Sequence, residues 1–101
     1  MKIKSVDIYK EPINAKHKYR AKFIFEDGSK KITPFGARDY SDYTIHKDPE
    51  RKARYIERHR KREDWTKPDN AGSLSRWILW NLPTFSASFK DYLNKFNLKK
   101  Y

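Results

Sequence analysis

The sequence predicts an α+β fold, with an N-terminal β-hairpin or small antiparallel sheet packed on two or three helices. Three observations carry that expectation. Tyr19, Ala21, Phe23 and Phe25 alternate with Lys18, Arg20 and Lys22, the period of a half-buried strand. Asp27-Gly28 follows at once, and both positions of this pair tolerate the positive φ of a tight hairpin turn. Near the end of the chain, Phe85, Phe89, Tyr92, Leu93 and Phe96 recur at i, i+4, i+7, i+8 and i+11, an apolar helical stripe.

Taken in order, "KIKSVDIY" (residues 2–9) reads as a strand with weaker alternation. Residues 18–25 form the first arm of the hairpin, and a two-residue loop at Asp27-Gly28 places Phe23 opposite Ile32 on one face. Pro34 lacks an N–H, so it ends the pairing or lies on an edge. Two strands alone are marginal, so the third strand or a helix must support them. "GARDYSDYTIHK" (residues 36–47) is a loop or a short helical turn. Asp48-Pro49-Glu50 is a helix start, in which Asp accepts from free N–H groups, Pro suits the first helical position and Glu suits the dipole. That helix is expected to run to about Glu63. "DWTKPDNAG" is a connector, Ser73 caps a short helix stopped before Pro83, and Thr84 caps the last one. The expected core is Tyr19, Phe23, Phe25, Ile32, Ile56, Trp77, Ile78, Phe85, Phe89, Leu93 and Phe96.

At 101 residues the chain fits one small basic domain, mainly β over residues 1–35 and mainly α over residues 36–101. Hydrophobic residues are only 37% and mean hydropathy is −1.11, yet aromatics reach 16%, so rings must build the core. The chain has no cysteine, which excludes disulfides, thiolate metal sites and a thiol nucleophile. No signal peptide is evident, and the apolar run "WILW" is far too short to span a bilayer, so a soluble protein without membrane insertion is expected. His17, His46 and His59 follow no metal or catalytic spacing, so no catalysis, metal or cofactor is expected. Asp39, Asp42, Asp48 and Glu50 alternate with cations and read as loop and cap residues rather than metal ligands. Tyr40 and Tyr43 read as core or helix-packing residues rather than base-stacking ones.

The net charge of +11 points to a polyanionic partner. The excess is spread, with nine Lys/Arg against four acids over residues 1–35 and five against one over residues 71–101. The informative stretch is "DPERKARYIERHRKRED" (residues 48–64). On a helical wheel, Arg51, Arg54, Arg58, Lys61 and Arg62 fall within an arc of about 100°. Tyr55, Ile56 and His59 fall on an adjoining face that docks the helix. Glu50 and Glu57 precede Arg54 and Lys61 by four residues, the favourable order for helical ion pairs. Arginine forks match phosphate oxygens, so the five cations form a candidate site for a nucleic-acid backbone. No zinc-finger, RNP or helix-turn-helix pattern accompanies them, which argues against base reading. Trp77, Trp80 and Arg76 form a second candidate set, for base stacking or partner contact, although at least one of the two tryptophans is expected in the core, because the chain has few other large apolar groups.

Three blocks carry a resemblance: "FGARDYSDYTIHKD" (residues 35–48), "RYIERH" (residues 54–59) and "AGSLSRWILWNLPT" (residues 71–84). They resemble the blocks FG-x-x-x-YSDYTIHKD, R-Y-I-x-R-H and AG-x-x-S-R/K-W/Y-ILWN-x-PT of a family of short uncharacterised proteins encoded by large double-stranded DNA viruses of algae and protists. The resemblance covers about the last two thirds of the chain. It implies a viral source and an intracellular location in an infected host cell or in the virion, and it implies no activity. In that setting a nucleic-acid-binding protein competes with a minor virion protein that cements the capsid or links it to the core through an acidic protein surface.

Overall fold

A computed structural model describes residues 2–100; Met1 and Tyr101, the two ends of the domain assigned from sequence, lie outside the described residues. The architecture is α+β. Strands β1 (Ile3–Lys10), β2 (His17–Phe25) and β3 (Lys30–Ala37) precede helices α1 (Tyr43–His46), α2 (Pro49–His59), α3 (Ala71–Leu74) and α4 (Phe85–Phe96). A π-helical turn, Ser75–Leu79, continues α3, and a short strand β4 (Lys99–Lys100) ends the series. The sheet order is β3-β2-β1-β4. The three long strands are antiparallel, as expected, but β4 runs parallel to β1, so the sheet is mixed.

The hairpin register differs from the expected one by one residue. The Phe25 N–H donates to the Ser29 carbonyl and the Gly28 N–H to the Phe25 carbonyl, which leaves Glu26, Asp27 and Gly28 in the loop. Gly28 takes φ +90°, the left-handed position that follows a type I turn in a three-residue hairpin. Phe23 therefore faces Lys31, and Ile32 pairs with Lys22 on the solvent side. Ile32 is 56% exposed and does not belong to the core. A shift of one residue turns every side chain of a strand over, which is the physical reason for this correction.

The inner face of the sheet presents Val6, Ala21, Phe23 and Phe35, all fully or almost fully buried. Leu74, Ile78 and Leu79 of the α3–π segment and Tyr92 of α4 complete that core. The larger of these side chains, Val6, Phe23, Phe35, Leu74, Ile78 and Leu79, each contribute roughly 2 kcal/mol of burial. Tyr19, Phe25, Trp77, Phe85, Phe89, Leu93 and Phe96 pack around this centre half-buried, so they form its shell. Ile56 is half-buried and stands outside the cluster; Tyr55 is the buried residue of α2.

Helix boundaries follow local chemistry. The Asp48 carboxylate accepts from the N–H groups of Glu50 and Arg51, with Pro49 at the first position, as expected. The helix ends at His59 rather than near Glu63. Glu63 instead folds back, its carboxylate 2.7 Å from His59 Nδ1 and within reach of the Trp65 indole. Asn70 caps α3, with its side chain accepting from Ser73 N at 2.7 Å; Ser73 is buried inside the helix and donates to the Asp64 carbonyl. Thr84 caps α4 as expected. Asn97 closes it in the left-handed conformation, with the Leu98 N–H donating to the Leu93 carbonyl.

Candidate functional site

The basic helix is tied to the body by a ladder of rings. Tyr55 stacks on Trp80 with centroids 4.3 Å apart and planes 4° apart, and on its other face packs His59 at 4.2 Å. His46 closes on Trp80 at 5.2 Å. Tyr55 and His59 thus dock the helix as the wheel predicts, and Lys52 joins them, whereas Ile56, also expected there, is half-buried and takes no part in the ring ladder. Its Nζ lies 5.0 Å from the centre of the Tyr43 ring, and burial, then Arg76, push its pKa down. Burial also drives the Tyr55 phenol far above its ordinary range, so it stays neutral.

The adjoining side of α2 carries Arg51, Arg54 and Arg58, all exposed. Arg54 meets Glu50 at 3.9 Å, the expected pairing. Glu57 pairs with Arg60 at 3.5 Å rather than with Lys61, because the helix stops before Lys61. Lys61 and Arg62 are exposed in the turn that follows, so the stripe is three arginines long on the helix and two cations continue beyond it. Among the described residues no carboxylate pairs with Arg51 or Arg58.

Arg51 and Arg58 edge a cleft of about 440 Å³ between α2 and the end of β3. One wall is Tyr55, Leu79 and Trp80, and facing it are Lys18 and Gly36 of the sheet and Asp42 of the loop before α1. Gly36 has φ +79°, and a Cβ there would stand 2.8 Å from Leu79 Cδ1, so the backbone approaches the helix layer without a side chain. Lys18 and Asp42 form a nearly buried ion pair at 2.7 Å, and Asp42 also caps α1 by accepting from Thr44 N. These two charges cancel, which leaves the two guanidinium groups to set the sign of the cleft. Tyr40 lines it at 74% exposure; it is neither core nor helix packing, because the loop after β3 carries it clear of both.

The second candidate set is split by the π turn. Trp80 lies in the ring ladder. Trp77 lies elsewhere, donating its indole N–H to the Trp65 carbonyl at 3.1 Å, with Lys95 and Arg76 each 4.2 Å from its ring centre. The Arg76 guanidinium also approaches Trp65 at 5.4 Å and donates to the Trp80 carbonyl at 2.8 Å; burial lowers its pKa. Arg38 has a purely structural place. It donates to the carbonyls of Glu11, Pro12, Ala15 and His17, and so clamps the β1–β2 loop. Asp42 and Asp48 serve as caps, as expected. Among the described residues no three His, Asp or Glu side chains group as a metal site would require, and no helix is long and apolar enough to cross a membrane.

Fold and site together define a small basic α+β protein with an arginine-edged cleft beside one helix. Residues 6–59 match a family of unknown function (DUF5754), and the chain belongs to that family. The matched span runs from β1 to the end of α2. It holds Lys18, Gly36, Tyr40, Asp42, Arg51, Tyr55 and Arg58 of the cleft, whereas Leu79, Trp80 and the whole 71–84 block lie outside it. The chain matches neither a curated protein nor a solved structure.

Sequence reasoning missed the cleft residues Lys18 and Gly36, and it read Asp42 only as a loop or cap residue and Tyr40 as core or helix packing. Gly36, one of three glycines in the chain, sits at the end of a strand, and that position was the available signal of a close backbone approach.

Proposed function

We propose that this protein binds nucleic acid through the phosphate backbone, without strong sequence preference and without catalysing a reaction. The observation that carries the reading is the outer edge of α2, where Arg51 and Arg58 lack a carboxylate partner among the described residues. Arg54, Lys61 and Arg62 add positive charge along the same edge and past its end. A net charge of +11 draws the protein to a polyanion, and guanidinium forks suit phosphate oxygens. The ring ladder supports the reading too, because it holds the helix by the adjoining face and leaves its arginines exposed. In the viral setting that the sequence resemblance implies, the partner is the genome or its transcripts inside the infected cell.

The test is a filter-binding titration of the wild type and an Arg51→Glu/Arg58→Glu variant at two salt concentrations. Wild-type affinity should fall steeply with salt, and the variant should flatten the slope by about 0.7–0.9 log units per lost phosphate contact. Equal binding by the two proteins, or no binding by either at low salt, sinks the reading. The arginine edge would then be a dock for an acidic virion protein, detectable as stoichiometric protein in purified particles.

A further inference from the structure

We infer that the cleft beside α2 takes a single unstacked nucleotide, its phosphate between Arg51 and Arg58 and its base against Tyr40. This rests on the proposed nucleic-acid reading and names the part of the nucleic acid that the site engages.

Four features of the cleft lead there. Its volume, about 440 Å³, lies in the range of small-molecule pockets and exceeds what a phosphate alone would fill. Its lining is mixed in the manner a nucleotide requires. Arg51 and Arg58 supply positive charge, Ser41 and Ser75 are polar lining residues, and Tyr40, Tyr55, Leu79 and Trp80 give an aromatic and aliphatic part beside the Lys18–Asp42 pair. The two arginines are seven residues apart, two turns and about 10 Å along the helix axis, so they share one side of α2 and both line the cleft, which leaves room for an anion between them. Asp42 does not repel that anion, because Lys18 neutralises it at 2.7 Å.

The ring available for stacking is Tyr40. Tyr55 has Trp80 on one face and His59 on the other, and Trp80 has both Tyr55 and His46 against it. Their edges line the cleft while their faces are used. Tyr40 is 74% exposed, and no described ring or cation packs on it. A base drawn out of a single strand, or at a strand end, meets that ring; a base inside a duplex is already stacked and does not reach it.

The test measures fluorescence anisotropy of a labelled single-stranded oligonucleotide and of the blunt duplex of the same length, at one salt concentration, with adenosine 5′-monophosphate as competitor. Wild type should prefer the single strand by about tenfold. Tyr40→Ala, a surface change, should abolish that preference while leaving duplex binding as it was, whereas Arg54→Glu should weaken both. Competition by the mononucleotide at the affinity of the strand identifies a free nucleotide as the ligand, and much weaker competition identifies the strand. If Tyr40→Ala binds the single strand as tightly as wild type, or loses strand and duplex binding in equal measure, the nucleotide pocket is overturned while backbone binding stands. If wild type binds neither oligonucleotide nor mononucleotide, both readings fall.

Discussion

A methyl group on Gly36 meets two obstacles at once. The φ of +79° is unfavourable for any residue with a Cβ, and that Cβ would stand 2.8 Å from Leu79 Cδ1. Gly28 shares the positive φ, yet nothing lies within 4 Å of its would-be Cβ. Gly36→Ala should therefore cost about 2 kcal/mol and Gly28→Ala about 1 kcal/mol, read from urea denaturation. An equal cost for the two would show that Leu79 gives way freely. His46 offers a pH-dependent counterpart. Its Nδ1 accepts the Asp48 N–H at 3.0 Å, an acceptance that needs the neutral ring, and its Nε2 is buried without a partner among the described residues. Burial, then Arg51, lower its pKa, against smaller opposing effects of Asp48 and Asp42. A histidine whose folded pKa is depressed stabilises the fold fully above its unfolded pKa, about 6.5, and loses that contribution as pH falls towards the folded value. Tm should drop between neutral and mildly acidic pH, and His46→Asn should drop less. The carboxylates of Asp27 and Asp64, both held below the usual value chiefly by side-chain hydrogen bonds from Ser29 and Thr66, act in a separate window at lower pH.

Among the elements, α2 is the one whose position governs the proposed phosphate contacts. Its N-terminal turn depends on Asp48, which satisfies the N–H groups of Glu50 and Arg51. Asp48→Ala should cost about 1 kcal/mol and fray that turn. The fraying displaces Arg51, so hydrogen exchange at residues 50–52 should speed up and nucleic-acid binding should weaken together. Faster exchange with unchanged binding would remove Arg51 from the interface. The docking side of the same helix was readable on a wheel, but its ranking was not. Tyr55 and Ile56 are adjacent there, and only the position of Trp80 makes Tyr55 the buried one. In the 71–79 segment the π turn widens the backbone by one residue, with the Trp80 N–H bonded to the Ser75 carbonyl. Trp77 and Trp80, an i, i+3 pair in sequence, both pack against the core but meet different partners, Trp80 the rings of Tyr55 and His46, Trp77 the cations of Arg76 and Lys95. An apolar run shows no signature of that extra residue, because Leu74, Ile78 and Leu79 suit an α-helix equally well.

For the whole molecule, the net charge of +11 acts on folding and on binding in opposite directions. Self-repulsion opposes the compact state, and salt screens it over about 8 Å at physiological ionic strength. The same salt competes with phosphate contacts. Raising salt from low to physiological concentration should raise Tm while lowering nucleic-acid affinity, measured in one buffer series by thermal unfolding and by filter binding. A Tm that falls with salt would mean that favourable ion pairs, such as Lys18–Asp42 and Lys31–Asp69, outweigh the net repulsion.

By itself the sequence determined the α+β class, three of the strands, the capped starts of α2 and α4, the aromatic shell around the core and the arginine edge; the buried centre itself is mostly aliphatic. All of these depend on residue chemistry at short range: alternation, helical period, caps and turn residues. Tertiary structure alone decided the rest. It set the hairpin register, because loops of two and three residues are both compatible with Asp27-Gly28 and only packing against the inner face selects Phe23 over Ile32. It ended α2 at His59, because Glu63 is drawn back to His59 and Trp65. It built the cleft, because Lys18, Gly36, Tyr40, Arg51, Arg58 and Trp80 come from five segments that meet only when the ring ladder seats α2 against the body. Long-range contacts leave no period in a single chain, so that convergence could not be read along the sequence.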